Sequence, residues 1–280
     1  MNDNLNVFSS DLKFALSLAD TADSISLNRF ESADLRIETK PDRSFVTDAD
    51  KAVEKALRDR IEAEREGEGF FGEESGRVDE GAKQWIIDPI DGTSNFLRGV
   101  PNWATLIALA VEGKPTIGVV SAPAFGKRWW AEIGSGAWTV TIPDELHRNA
   151  GITLRETSAP RKLQVSGVKE LQNASLSFQS IAQWDEEGYL NPLIELTRAV
   201  WRDRAYGDMW SYMMLAEGLV DIVAEFDVKP YDLAALVPIV TEAGGKFTDI
   251  AGAESAWNGS SLATNGYLHK AVIEQVVSAL

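Results

Sequence analysis

Hydrophobic residues in the first half of the chain fall into segments with either helical or strand spacing. Apolar side chains recur every three or four positions in Asp11–Ile25 and Asp48–Glu64, which predicts two amphipathic helices. Thr47 or Asp48 is a suitable cap for the second helix. A short apolar run at Trp85–Ile87 is typical of a buried strand. Two predicted hairpins follow, Trp103–Val111 with Pro115–Pro123 and Lys127–Ile133 with Ala137–Ile142.

The polar stretch from Pro143 to Arg161 has little periodicity, and we place a subdomain boundary there, with residues 1–146 before it and 147–280 after it. Hairpins that alternate with helices favour a layered α/β or α+β architecture. Gly244 and Gly245 end one of the predicted helices beyond the boundary, Tyr231–Ala243. The predicted elements there are strands at Leu163–Val165, Ser175–Phe178, Val220–Glu225, Lys246–Asp249 and Ser261–Ala263, and helices at Leu193–Val200, Asp208–Glu217, Tyr231–Ala243 and Leu268–Leu280.

Composition and charge exclude several classes of protein. The chain has 280 residues, 44% of them hydrophobic, which is enough for a sizeable core in one large or two closely joined domains. Its net charge of −16 disfavours nucleic acid and anionic membranes as partners. The absence of cysteine excludes disulfides, zinc–thiolate sites and cysteine nucleophiles. Because there is no signal-peptide pattern and no apolar run of about 20 residues, we expect a cytoplasmic location.

The strongest chemical signal is an acidic motif directly after the predicted buried strand. Asp88 and Asp91 are separated by Pro89, whose fixed backbone angle lets both carboxylates turn toward one point. Gly92 and Thr93 come next, and their backbone N–H groups can hold a phosphate oxygen if a helix begins there. When Asp-x-x-Asp stands alone, a capped turn is the favoured explanation. The other acidic motifs decide against that simpler explanation.

Three further acidic motifs occur along the chain, and each has a structural explanation when taken alone. Glu73 and Glu74 follow an apolar pair, Phe70–Phe71, which would anchor their loop in the core, although adjacent acids in a loop are usually solvated. Asp50 lies in the first turn of a predicted helix, where capping is worth about 1 kcal/mol. Asp232 also starts a predicted helix and has the same alternative role.

All of these motifs supply oxygen ligands. The two histidines, His147 and His269, lie in a polar loop and a terminal helix, where we expect surface positions. Oxygen-only sites suit hard cations such as Mg²⁺ or Mn²⁺, and a pair of such ions can hold the attacking and leaving oxygens of an in-line displacement. The sequence therefore predicts a metal-dependent hydrolase of small phosphate monoesters. An aspartyl-phosphate phosphatase of the haloacid dehalogenase type is disfavoured, because it requires Asp-x-Asp-Gly-Thr.

Taken together and in order, the motifs GEES, DPIDGT and YDLAA…TEAGG resemble the inositol monophosphatase superfamily, and Lys40–Asp50 resembles its N-terminal signature. The resemblance covers the chain from about Leu12 to Leu280. It implies a five-layered αβαβα sandwich of the inositol monophosphatase and fructose-1,6-bisphosphatase type, typically a homodimer. Tyr231 departs from the Trp that usually stands there, and we expect little change in chemistry because this residue would pack behind the ligand.

The resemblance implies a set of metal ligands. Glu73, Asp88 and the Ile90 carbonyl would hold one Mg²⁺. Asp88, Asp91 and Asp232 would hold the second. Family members bind two or three ions in each site, Mn²⁺ can substitute, and lithium is expected to inhibit.

Further roles follow from the same resemblance. Thr93 and Asp50 match the pair that orients and deprotonates the attacking water, and we count Glu73 with them as catalytic. Gly92 and Thr93 match the backbone cradle for phosphate. A non-catalytic member would lack a metal ligand or the water-activating pair, and this chain has both. The residues expected to bind substrate are Asp91, Gly92, Thr93, Ser94, Arg204, Asp208, Glu225 and Asp232.

The leaving-group half of the chain narrows the expected substrate. The stretches NFLRGVPNWATLIALA, SAPAFGKRWWAEIGSGAW and RAYGDMWSYMMLAEGLVDIVAE most resemble the bacterial histidinol-phosphate phosphatases of this fold, which implies the phosphatase step of histidine biosynthesis. Asp208, Glu225 and Asp227 could pair with the cationic amine of that substrate, and Trp103 could offer an aromatic surface. The same acids would suit inositol hydroxyls, so an inositol-1-phosphatase or another sugar phosphatase is the alternative. Arg204 either lies near the phosphate, supports Asp208 or is a surface residue.

Overall fold

The computed structural model describes residues 8–41, 43–142 and 159–277 of the chain. Within these ranges, no helix is both long and apolar enough to cross a lipid bilayer. The expected boundary after residue 146 and His147 lie outside the described residues, so the division into two subdomains stays a prediction. A short antiparallel hairpin of β1 (Ile37–Thr39) and β2 (Phe45–Thr47) precedes the two larger sheets.

A large mixed sheet forms the first half of the fold. Its strands are β3 (Gly69–Gly72), β4 (Gly76–Val78), β5 (Lys83–Asp91), β6 (Ala104–Val111), β7 (Lys114–Ala122), β8 (Lys127–Glu132), β9 (Ala137–Thr141) and β10 (Arg161–Lys162). They lie in the order β10-β9-β8-β7-β6-β5-β3-β4, and all neighbours are antiparallel except β3 and β5, which are parallel. Both predicted hairpins are therefore confirmed, each within one or two residues of its expected ends.

Side chains alternate between the two faces of this sheet, as the pleat of a strand requires. Trp85 and Ile87 of β5 pack in one hydrophobic cluster, while Ile86 between them packs in another. Two helices cover the first face, and both predicted segments are confirmed: α1 (Ser10–Arg29) and α2 (Asp48–Glu64). Thr47 caps α2, because its side chain accepts the first free N–H groups of the helix.

A smaller sheet forms the second half of the fold. Its strands lie in the order β12-β11-β13-β15-β14, with β11 parallel to β12 and β13, and β15 antiparallel to its neighbours. These strands are β11 (Ser175–Phe178), β12 (Arg202–Arg204), β13 (Ile222–Phe226), β14 (Lys246–Thr248) and β15 (Ser260–Thr264). The helices of this half are α4 (Ile181–Glu186), α5 (Leu190–Ala199), α6 (Asp208–Ala216), α7 (Pro230–Leu233), α8 (Leu236–Glu242) and α9 (His269–Val277), after the short α3 (Thr93–Phe96) of the first half.

The helices divide into layers around the two sheets. Residues of α6 and α8 share one hydrophobic cluster with both sheets, including Ile86 of the large sheet and Val223 of the small one. Residues of α4, α5 and α9 cover the outer face of the small sheet, where they pack with Ile222 and Ala224. The order of layers is helices, large sheet, helices, small sheet, helices. This arrangement is the five-layered αβαβα sandwich that the sequence predicts.

Two predicted elements differ from the structure. The helix expected over Tyr231–Ala243 is broken into α7 and α8, because Pro238 has no N–H to donate to Ala234 and its ring crowds that carbonyl. The break lies close against the large sheet, since a Cβ at Gly118 would be 2.0 Å from the Ala235 oxygen. The strand expected at 163–165 is instead β10 at 161–162, which pairs with β9.

His269 is not a surface residue, contrary to expectation. It is only 3% exposed, and its two ring nitrogens lie 3.0 Å from the Thr248 hydroxyl and 3.1 Å from the Thr264 hydroxyl. The amphipathic pattern of the terminal helix was correct, but it could not show that the first residue of α9 packs against β14 and β15. Burial lowers the pKa of His269 to about 4, with a smaller contribution from the charge of Lys246.

Candidate active site

Asp88 and Asp91 lie on an irregular part of β5, at its carboxyl end. Asp88 pairs with Leu106 of β6 and Asp91 pairs with Ala104, so three residue steps on β5 are opposite two on β6. Residues three apart on a regular strand point to opposite faces. The extra residue of this bulge removes the alternation, so both carboxylates reach the same side. Asp88 Oδ1 also accepts the Ile90 N–H at 3.0 Å, which stabilises the bulge.

Asp232 reaches the same point from the other half of the fold. It lies in α7, where its Oδ2 accepts the backbone N–H of Lys229 at 2.6 Å, so the predicted capping role is real. One carboxylate oxygen from each of Asp88, Asp91 and Asp232 lies within 4.8 Å of the others. The two explanations of Asp232 are therefore compatible, because one carboxylate oxygen caps the helix and the side chain still joins the cluster.

Glu73 lies in the tight turn between β3 and β4. Because β3 is parallel to β5, the carboxyl ends of both strands meet at one edge of the sheet. The Glu73 N–H donates to the Ile87 carbonyl at 3.2 Å, directly before Asp88. The buried carboxylate of Glu54 on α2 accepts the backbone N–H groups of Glu74 at 2.8 Å and Ser75 at 2.6 Å. Glu54 therefore fixes the turn that carries Glu73.

Asp50 joins the helix cap to the strand motif. Its Oδ2 accepts the Thr47 N–H at 2.8 Å, while its Oδ1 lies 3.1 Å from the Thr93 hydroxyl. That hydroxyl is also 3.0 Å from the Ile90 carbonyl. Thr93 begins α3, directly after Gly92, whose backbone is left-handed with φ of 87°. The first N–H groups of a helix lack helical acceptors, so this end of α3 can bind an anion.

A second group of acids carries its own cation. Carboxylate oxygens of Asp50, Glu73 and Glu74 also lie within 4.8 Å of one another. Lys40 forms ion pairs with Glu73 at 2.8 Å and with Glu74 at 2.6 Å. Burial opposes the charge of Lys40, but these hydrogen bonds more than offset it and raise the pKa of the ammonium.

The group formed by Asp88, Asp91 and Asp232 has no such cation, since none of the three forms an ion pair with another described residue. Burial raises the pKa of Asp88 and of Asp91 well above the usual range, and the charges of neighbouring acids raise them further. Burial likewise raises the pKa of Asp232 to about 7. Buried carboxylates of this kind need a positive charge, and an all-oxygen set fits a hard divalent cation.

A cavity of about 160 Å³ opens beside this cluster. That volume is below the range of pockets that bind drug-sized ligands, so it suits a small leaving group. Among the described residues that line it, every charged one is a carboxylate. The polar or charged residues that line it are Asp91, Gln179, Gln183, Asp208, Tyr212, Glu225, Asp227 and Asp232.

Asp208 is held in this cavity by amides rather than by a cation. Its backbone is left-handed, with φ of 49°, which is unfavourable for a residue with a Cβ. Asn95 donates to its Oδ2 at 2.8 Å and Asn102 does so at 3.3 Å, while the Asp208 N–H donates to Gln179 Oε1 at 3.0 Å. The following N–H, of Met209, donates to Asp91 at 2.7 Å. The start of α6 thus links the cavity to the acidic cluster.

Glu225 is buried at the inner wall of the cavity. Tyr212 donates its hydroxyl to Glu225 Oε1 and also contacts the Ser261 hydroxyl. Burial raises the pKa of Glu225 to about 8, and the charges of Asp232 and Asp208 act in the same direction. One oxygen of Glu225 is therefore engaged in the core, which limits how this side chain can contact a leaving group.

Two residues considered for substrate contacts lie away from the cavity. Arg204 is exposed at the end of β12 and donates to the Asp203 carbonyl, so the structure does not bring it to the cavity or to Asp208, and its surface alternative applies. Trp103 is fully buried against Phe96 and offers no surface to a ligand, because the loop that carries it folds into the core. Ser94 lies in the first turn of α3 with an exposed side chain, and its substrate contact stays a prediction.

Sequence reasoning missed four residues that position the site, namely Glu54, Asn95, Asn102 and Gln179. Only Glu54 had a detectable signal, since it is a second acid one helical turn after Asp50 and next to the buried Val53. The amides gave none, because each acts through contacts with a distant segment.

Comparisons with known proteins agree with this architecture. The model of the inositol monophosphatase family matches residues 9–280. The chain is 49% identical to the histidinol-phosphatase of Mycobacterium tuberculosis, across 95% of this chain and 97% of that protein. It is 47% identical to the histidinol-phosphatase of Streptomyces coelicolor, across 92% and 94% of the two chains. The crystal structure of the extragenic suppressor protein SuhB from Bartonella henselae superimposes with a TM-score of 0.83 at 25% identity, over 97% of this chain and all of that one (100%).

The layered sandwich and the acidic cluster at the edge of its large sheet thus define a metal-dependent phosphatase. The chain belongs to the inositol monophosphatase family, and it is a phosphoric monoester hydrolase.

Proposed function

We propose that the chain is a Mg²⁺-dependent histidinol-phosphate phosphatase, which converts L-histidinol phosphate and water into L-histidinol and phosphate in histidine biosynthesis. The substrate assignment rests on the cavity beside the acidic cluster. The charged residues among the described lining of this cavity are all carboxylates. A cationic leaving group would be attracted there and a second phosphate would be repelled. The histidinol-phosphatases at 49% and 47% identity support the same assignment.

In this proposal Glu73, Asp88 and the Ile90 carbonyl hold one Mg²⁺, and Asp88, Asp91 and Asp232 hold a second. The oxygen-only ligand set favours Mg²⁺, with Mn²⁺ able to replace it. When bound, the ions neutralise the phosphate and stabilise the charge that develops on the oxygens of the displacement.

The protein's own groups then bind phosphate and direct a water. Backbone N–H groups of Gly92, Thr93 and Ser94 would hold phosphate oxygens at the start of α3. The Thr93 hydroxyl, 3.1 Å from Asp50 Oδ1, can accept the proton of the attacking water while it passes its own to that carboxylate. The water oxygen bonds to phosphorus as the bond to the alcohol oxygen breaks; that oxygen takes a proton from a solvent water, and Asp50 returns its proton to solvent.

The deciding experiment is a substrate comparison with purified protein and Mg²⁺. Histidinol phosphate, inositol 1-phosphate and fructose 1,6-bisphosphate are assayed side by side for phosphate release, with and without chelator. We expect the highest kcat/KM on histidinol phosphate and no activity with chelator. A preference for inositol 1-phosphate would support the alternative, an inositol-1-phosphatase, and would leave the metal-dependent hydrolysis intact. Inhibition by millimolar lithium can be tested in the same assay.

Asp208 tests the charge argument directly. Asp208→Asn removes the negative charge and keeps a side chain that tolerates the left-handed backbone. A charge-assisted contact is worth about 1.5–3 kcal/mol, so kcat/KM on histidinol phosphate should fall roughly tenfold to a hundredfold. Activity on inositol 1-phosphate, which has no positive charge, should fall much less. Equal losses on both substrates would mean that Asp208 serves the metal cluster or the fold.

We also propose a homodimer, as the family resemblance implies. Trp201, beside the edge strand β12, is 68% exposed. Exposed apolar side chains at a sheet edge favour a protein interface. Light scattering coupled to size exclusion should give the mass of two chains, and the mass of one chain would refute the proposal.

A further inference from the structure

The segment from Gln179 to Trp184 forms one wall of the cavity, and its sequence carries none of the acidic motifs. Gln179 precedes α4 and Gln183 lies within it, and both side chains line the cavity. Trp184 is fully buried and contacts Phe226 with ring centroids 5.0 Å apart. Because Trp184 is anchored in the core, the position of Gln183 beside it is fixed.

The two glutamines differ in how their amides are used. Gln179 accepts the Asp208 N–H at 3.0 Å, so its oxygen is satisfied and it positions Asp208. Gln183 also lines the cavity, but its Oε1 is buried and has no hydrogen-bond donor among the described residues. A buried acceptor without a donor costs on the order of 1–3 kcal/mol. Such a cost is recovered if a bound molecule supplies the donor.

The chemistry around Gln183 indicates which donor fits. Asp208 supplies the negative charge that an ammonium group requires, because Asp227 is paired with Lys229 at 2.7 Å and Asp232 belongs to the proposed metal cluster. Gln183 is neutral, so it can accept a hydrogen bond from an uncharged N–H and does not require a charged donor. The ring N–H of an imidazole is a donor of this kind, and Phe226 in the same lining offers it an apolar surface.

We propose that Gln183 is a specificity-determining residue, whose Oε1 accepts a hydrogen bond from the ring N–H of an imidazole-bearing leaving group. This inference rests on the proposed function, because it concerns the same cavity and the same substrate. Asp208 selects the ammonium, and Gln183 distinguishes imidazole from an apolar ring of similar size.

The test uses two substrates that differ only in the ring. Histidinol phosphate has the imidazole, whereas phenylalaninol phosphate keeps the ammonium and the phosphate but has no ring N–H. Gln183→Met preserves length and removes the acceptor. One neutral hydrogen bond corresponds to about three- to twelvefold in affinity, so KM for histidinol phosphate should rise by that factor with kcat nearly unchanged. KM for phenylalaninol phosphate should stay the same or fall.

Two further variants separate specificity from folding. Gln183→Glu keeps an acceptor and should hold KM for histidinol phosphate within about threefold of wild type. Glu186→Gln changes an exposed residue of the same helix and should match wild type on both substrates. Calorimetric titration with the product histidinol provides a binding measurement that does not depend on turnover, and Gln183→Met should weaken it by the same factor.

The outcomes are distinct for the two proposals. If wild type hydrolyses histidinol phosphate and Gln183→Met raises KM equally for both substrates, or for neither, the role of Gln183 is refuted and the proposed function stands. If wild type does not hydrolyse histidinol phosphate, both are refuted.

Discussion

Two groups of carboxylates at the large sheet, each with a fully or nearly buried member, have opposite electrostatic surroundings. Between α1 and the large sheet, Asp23 forms an ion pair with Arg128 at 2.7 Å, and both side chains are about 9% exposed. Arg128 also binds Asp20 at 2.7 Å, and Ser121 donates to Asp23 at 2.9 Å. At the edge of the same sheet, oxygens of Asp88, Asp91 and Asp232 lie within 4.8 Å of one another, and the three have no ion-pair partner in the described chain.

The difference separates a structural group from a functional one. A buried charge is costly unless it is paired, so the guanidinium that belongs with Asp23 is part of the fold. At the sheet edge the positive charge has to come from solution, as a bound metal. Glu73 and Glu74 are intermediate between the two groups. Lys40 forms ion pairs with both of them, but none with Asp88, Asp91 or Asp232.

The largest expected effect comes from the unpaired group. Asp91→Asn removes a charge that metal and substrate share, and kcat/KM should fall on the order of 10³-fold or more. In chelator, its free energy of unfolding should stay the same or rise, because repulsion with Asp88 and Asp232 is relieved while the Met209 N–H keeps its acceptor. Steady-state assays and denaturant unfolding in chelator measure the two effects. Near-normal turnover would contradict the role of Asp91.

Asp50 has features of both the structural and the functional group. A substitution at its hydrogen-bond partner Thr93 tests which of the two roles it plays. Asp50 caps a helix through Thr47 and also lies 3.1 Å from the Thr93 hydroxyl. Thr93→Ala should lower kcat by roughly 10²–10⁴ with little change in KM, as expected for lost general base catalysis. Thr93→Ser retains the hydroxyl and should restore most of kcat. If Thr93→Ala alters KM alone, Thr93 only positions phosphate and Asp50 is a structural acid.

The site was largely predictable where short motifs meet secondary-structure ends. Asp88 and Asp91 follow a buried apolar run, and Glu73 follows a second run that proves parallel to the first, so ordinary sheet geometry brings them together. The bulge that aligns the two aspartates was not predictable, because it depends on pairing with β6. Periodicity identified most of the strands and helices and indicated a layered α/β or α+β architecture, whereas the number and order of the layers came from the family resemblance.

The remaining parts depend on contacts between distant segments. Asn95 of α3 meets Asp208, which is 113 residues away, and no local pattern indicates such a pair. His269 was assigned to the surface because an amphipathic helix does not reveal what its first residue contacts. Pro238 offered a usable signal for the break between α7 and α8, but Gly244 and Gly245 were taken as the only end of that helix.

The structural group is tested by Asp23→Asn. The variant leaves Arg128 in the core with Asp20 as its only charged partner, and removing one member of a buried pair costs about 3 kcal/mol or more. Denaturant unfolding should show this loss, while kcat and KM at saturating Mg²⁺ stay near wild type at a temperature where both remain folded. Asp23→Asn should thus lower stability and leave activity unchanged, whereas Asp91→Asn should lower activity and leave stability unchanged or higher. A large loss of activity with unchanged stability would place Asp23 with the functional acids.

His269 is expected to give the smallest effect of the four residues. Its imidazole is kept neutral in the fold, where its partners are the hydroxyl groups of Thr248 and Thr264 instead of an ion. Its folded pKa, about 4, lies below the unfolded value of about 6.5, so the unfolded chain binds a proton first as the pH falls. The neutral histidine therefore contributes stability fully above pH 6.5, and this contribution is lost as the pH falls from about 6.5 to 4. After allowance for solvent screening, we expect a change on the order of 1–2 kcal/mol. His269→Gln keeps a polar group between Thr248 and Thr264 and does not titrate. The difference in unfolding free energy between wild type and variant should therefore shift against wild type across that range, and a constant difference would show that His269 is not held neutral by the fold.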